Sequence, residues 1–75
     1  SAPAFLGPPA VARRRAAILA LLDRHAAISR KTVIEACGCS PGTAARDLEF
    51  LLGQGLLRAV PGATPRLGCF IRPPG

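Results

Sequence analysis

From Ala12 to His25 the apolar positions Ile18 and Leu22, extended back to Val11, recur at helical spacing, with Arg13, Arg14 and Asp23 between them. Such a stripe packs against a core and leaves the charges to solvent, and Ala, Leu and Arg are strong helix formers. The pattern predicts a first helix over Ala12 to His25, then a short extended piece around Ala27 and Ile28. Val33, Ile34 and Cys37 repeat behind Ser29, a good N-cap, until Gly38 breaks the period, so a second helix of about two turns begins at Arg30. Ser40 followed by Pro41 is an N-cap with proline at the first helical position, and it opens a third helix reaching Leu52 before Gly53 and Gly55.

Two helices joined by so short a turn, Gly38 to Ser40, must cross steeply, which is the helix-turn-helix arrangement. Leu56 to Val60 and Leu67 to Ile71 are short apolar runs around Pro61-Gly62-Ala63-Thr64-Pro65, and that composition predicts a β-hairpin. The expected fold is mainly α with a small β-hairpin wing: a winged helix-turn-helix of three helices plus a two- to three-stranded sheet, spanning 10–72. Residues 1–9, with Pro3, Gly7, Pro8 and Pro9, are expected to form a flexible arm or linker, and 73–75 a tail.

Ten Lys and Arg against four Asp and Glu give a net charge of +6, which favours a polyanionic partner. The charge is unevenly placed. Ala10 to Lys31 and Leu56 to Gly75 are basic, whereas the stretch between them is net acidic. Basic flanks around such a centre suit a module that clamps a DNA backbone better than a basic tail or an amphipathic membrane helix. No apolar run is long enough to span a bilayer, and the N-terminus lacks the order of a signal peptide, so a cytoplasmic protein is expected.

Three cysteines, two of them separated by one residue, do not form a disulfide framework, and the Cys37, Cys39, Cys69 and His25 set lacks the usual zinc spacing. No metal and no cofactor is expected. A single His and scattered acids offer no catalytic arrangement, so no enzymatic activity is expected either.

Double-stranded DNA is the expected partner, with helix 41–52 in the major groove and wing 58–69 on the backbone. Arg30, Lys31, Arg58 and Arg66 are candidates for phosphate contacts, and Ser29 sits where a helix N-terminus receives a phosphate oxygen. Ser40, Thr43, Ala45 and Arg46 are candidates on the groove-facing side of the third helix, and Thr64 on the wing. Arg46 is the one side chain among them able to make a bidentate guanine contact, so each protomer is expected to read few bases. Asp47 would repel phosphate if turned outward and is expected to pair with an Arg or a backbone group. Phe50, opposite Leu48, is expected to be exposed, and with Phe5 and Leu6 it forms a candidate partner surface or is covered by the arm. A homodimer would double the half-sites.

From Arg14 to Ala63 the chain resembles the DNA-binding domain of the DeoR family of bacterial transcription regulators. The resemblance rests on Ile28-Ser29, Ser40, Thr43, Arg46-Asp47-Leu48, Leu51, Gln54-Gly55-Leu56-Leu57-Arg58 and Gly62-Ala63. It implies a winged helix and sequence-specific DNA binding in transcription regulation. The family's sugar-phosphate-sensing domain has no counterpart here, so no small-molecule effector site is expected in this chain. A protein-interaction winged helix, or a non-specific DNA tether within a larger bacterial protein, are the alternatives.

Overall fold

The caps written into the chain set the order of its elements in the computed structural model, which describes residues 2–61 and 68–74. Helix α1 (Pro9–Leu21) starts at Pro9 rather than Ala12, because proline at the first position gives up an N–H that has no helical partner anyway. It ends at Leu21 rather than His25. The following N–H groups of Leu22, Asp23 and Arg24 reach back three residues instead of four, to Leu19, Ala20 and Leu21, and tighten the chain into a turn.

Strand β1 (Ile28–Ser29) leads directly into α2 (Arg30–Cys37). Ser29 Oγ accepts from the Thr32 N–H at 3.2 Å, and Thr32 Oγ1 accepts from the Ser29 N–H at 3.3 Å. This is a reciprocal capping box with threonine in the third position. Gly38 closes α2 at φ 63°, a left-handed conformation that favours glycine, and its N–H donates to Ile34 O at 2.9 Å. Helix α3 (Pro41–Gly53) follows, with Ser40 Oγ accepting from the Thr43 N–H at 3.2 Å.

Strands β2 (Arg58–Ala59) and β3 (Cys69–Ile71) pair antiparallel, Arg58 opposite Ile71 and Ala59 opposite Phe70. Strand β1 pairs antiparallel along the other edge of β3, Ile28 opposite Phe70, so the sheet order is β1-β3-β2. The hairpin is thereby tied to the segment that opens α2, which sets the wing beside the helix pair. Thr64 and Arg66, both candidate contacts, lie outside the described residues.

Ile18 and Leu21 from α1, Leu22 just after it, Ile28 from β1, Val33 from α2, Ala44, Leu48 and Leu51 from α3, and Leu57 fill the core. Leu6 joins them at 2% exposure. It lies in a short 3-10 turn, Ala4–Leu6, within the segment expected to be an arm, and that turn packs on α1. Burial in the core corrects the assignment of Leu6 to an exposed partner surface. Its neighbour Phe5 remains 60% exposed.

Candidate nucleic-acid interface

Helix α3 has two faces. Ala44, Leu48 and Leu51 are buried, while Gly42, Arg46, Glu49 and Gly53 return every three or four residues on the exposed side. Thr43 is half-buried and Ala45 likewise. Ser40 is exposed at the N-cap and donates its hydroxyl proton to Thr43 Oγ1 at 3.0 Å. Among the described residues the Thr43 hydroxyl donates to no acceptor, which leaves its proton for one such as a phosphate oxygen.

Arg30 and Lys31 stand exposed in the first turn of α2, and Arg58 is exposed on β2. Ser29, by contrast, is half-buried with its hydroxyl engaged by Thr32, both through the capping bond and through an Oγ to Oγ1 contact of 3.0 Å. A cleft of about 120 Å3 separates α3 from the sheet, lined by Arg30, Ala45, Leu48, Glu49, Leu52, Gly68 and Phe70. This cleft brings Arg30 of α2, the flank of α3 and the base of the wing onto one surface. Glu49 belongs to it and was not singled out from the sequence. Its signal was the three-residue step from Arg46, which puts both on one helix face.

Behind this surface α3 is bolted to α1. Asp47 is completely buried and accepts from Arg14 through two bonds, Nε to Oδ2 and Nη2 to Oδ1 at 3.1 Å, and from Arg15 Nε at 3.0 Å. Burial pushes its carboxyl up. The hydrogen bonds and charges of the two guanidinium groups outweigh that and hold it below the ordinary carboxylate range. Donating to Asp47 in turn raises the pKa of Arg14 against the opposing effect of burial.

The expectation that Asp47 pairs with an Arg is met, but Arg14 is not left to solvent as the stripe on α1 predicted. Nor is Phe50 bare. The Arg15 guanidinium covers its ring, and Arg15 also donates through Nη1 to Leu6 O at 2.7 Å. Phe50 is half-buried, a correction to its place on an exposed partner surface.

Cys37, Cys39 and Cys69 are partly buried free thiols. Burial, with Cys39 adding to it, pushes the Cys37 thiol up and away from the reactive thiolate form. Among the described residues no three His, Cys, Asp or Glu side chains gather into a group that could hold a metal, and no helix is long and apolar enough to cross a membrane.

Three helices, a short turn between the second and third, and a hairpin seated beside them define a winged helix-turn-helix domain. The family model of the DeoR-like helix-turn-helix domain matches residues 14–64, and the chain belongs to that family. Its class is that of DNA-binding domains. A search among curated proteins and one among solved structures found no match to the chain.

Proposed function

We propose that this domain binds double-stranded DNA in a sequence-specific manner and regulates transcription, with α3 in the major groove and the wing along the backbone. The observation that carries this reading is that Arg46 on α3 and Arg30 on α2 are both exposed, Arg30 lining the cleft beside α3, while Asp47, the neighbour of Arg46, is turned inward. Arg46 reads a guanine, and Arg30, Lys31 and Arg58 neutralise phosphates. Thr64 and Arg66 extend the backbone contacts on the wing.

Ser40 and Thr43 serve at the entrance of α3, where the free Thr43 proton meets a phosphate oxygen, while Ala45 leaves room for close approach of the groove wall. Ser29 acts indirectly, by holding the start of α2. The domain measures 33 × 30 × 22 Å, so two copies fit on half-sites about 34 to 36 Å apart, and a homodimer compensates for the few bases one α3 reads. The reading places the protein in the cytoplasm and gives this chain neither a catalytic step nor a small-molecule effector. A protein-interaction role draws on Ala45 and on an exposed Phe50, and Arg15 covers the Phe50 ring.

The test is a fluorescence anisotropy titration against random and selected duplexes over a range of salt concentrations. Binding that weakens with salt, and loss of preference for one sequence on Arg46→Ala, is the expected result. Absence of binding to any duplex at low salt refutes the reading, and equal binding to all sequences reduces it to a tether.

A further inference from the structure

The four acids of the chain have different fates. Asp47 is enclosed by Arg14 and Arg15, and Asp23 is paired with Arg72 on the surface. Glu35 is exposed on α2. Glu49 is exposed on α3, three residues after Arg46, and lines the cleft that also holds Arg30, yet it takes part in no ion pair among the described residues.

A free carboxylate on a surface that approaches phosphates is unfavourable, since it repels the backbone that Arg30 and Lys31 attract. The major groove offers it few compensating contacts. A carboxylate only accepts hydrogen bonds, and the exocyclic N4 amino group of cytosine is the donor that carboxylates are suited to meet there. Arg46, one turn earlier on the same face, carries the complementary preference for guanine.

We infer that Glu49 is a specificity-determining residue that accepts a hydrogen bond from a cytosine N4 amino group next to the base read by Arg46, so that the domain selects a G·C-rich half-site. This rests on the DNA-binding reading above. The same carboxylate disfavours a thymine or guanine at that position, because each presents acceptors to it in the groove.

The experiment selects bound duplexes from a randomised pool with the purified chain, and then measures competition among the four base-pair variants at each position of the preferred site. Wild type, Glu49→Gln and Glu49→Ala are compared, with thermal unfolding to show that all three are folded. Wild type should prefer cytosine at one position by about tenfold. Glu49→Gln should move that preference to adenine, whose N6 and N7 suit an amide, and Glu49→Ala should flatten it while the guanine preference that depends on Arg46 stays.

Identical base preferences in all three proteins overturn the inference, whatever happens to overall affinity. So does a loss of the guanine preference in Glu49→Ala without any change at a cytosine, which would make Glu49 a support for Arg46. Binding by wild type without base preference overturns the inference but leaves DNA binding standing, and no binding at low salt removes both.

Discussion

The guanidinium carbon of Arg15 lies 3.8 Å from the centroid of the Phe50 ring, while Nε of the same side chain donates to Asp47 at 3.0 Å. One residue of α1 thus grips two residues of α3 that are nearly a turn apart. The contact with Phe50 is a cation on an aromatic face, and the contact with Asp47 is a charged hydrogen bond in a place from which water is excluded. Together with Arg14 it determines how α3 is presented.

Removing Asp47 strands two cations at the helix interface. Asp47→Ala should lower stability by about 3 kcal/mol, a large part of what a domain of this size holds, so the variant should be substantially unfolded near 37 °C. Arg15→Lys should weaken it as well, since an ammonium cannot lie flat on Phe50 and serve Asp47 and the Leu6 carbonyl together. Urea unfolding followed by circular dichroism measures both. An Asp47→Ala protein as stable as wild type would mean that the network contributes nothing net.

The direction of the Asp47 shift sets a pH dependence. Its carboxyl titrates lower in the folded protein than in the unfolded chain, so on acidification the unfolded chain takes up the proton first. The stabilisation is complete above about pH 5 and fades as the pH falls through roughly 4 towards the lower folded value. Urea midpoints measured from neutral pH down to about 3 should drop over that window in wild type. In Asp47→Asn the drop should be shallower, because the titrating group is gone.

Leu6 tests the docked N-terminal turn. With 2% of it exposed, Leu6→Ala should cost about 2 to 3 kcal/mol, and deletion of residues 1–7 at least as much. Phe5→Ala, at a side chain 60% exposed, should change stability by less than about 0.5 kcal/mol. Thermal melts of the three variants give the comparison. Equal Tm values for the deletion and for wild type would show that the turn lies on α1 without stabilising it.

Phosphate contacts have a signature of their own. Arg30→Ala and Lys31→Ala should each weaken binding evenly across sequences and reduce the slope of log affinity against log salt by about one. Arg46→Ala should instead change which sequences are bound. Anisotropy titrations at several salt concentrations separate the two effects, and an unchanged slope in Arg30→Ala would take that residue out of the interface.

The starts of α2 and α3 were readable because caps are local: Ser29 and Ser40 bind N–H groups three residues on, and Gly38 adopts its left-handed turn without help from elsewhere. The burial of Val33 and the partial burial of Ile34 and Cys37 on α2 followed from spacing, and the hairpin that became β2 and β3 followed from composition. Charge along the chain pointed to DNA, and family membership agrees with it.

The residues that hold the interface together were another matter. Arg14 and Asp47 are 33 residues apart, Arg15 and the Leu6 carbonyl meet only once α1 has formed, and β1 pairs with β3 rather than with its neighbour in the chain. Periodicity assigns a charged residue to solvent because it cannot see a partner on another helix. A guanidinium facing inward becomes favourable only when a carboxylate arrives across the core to meet it, and that meeting belongs to the packed molecule.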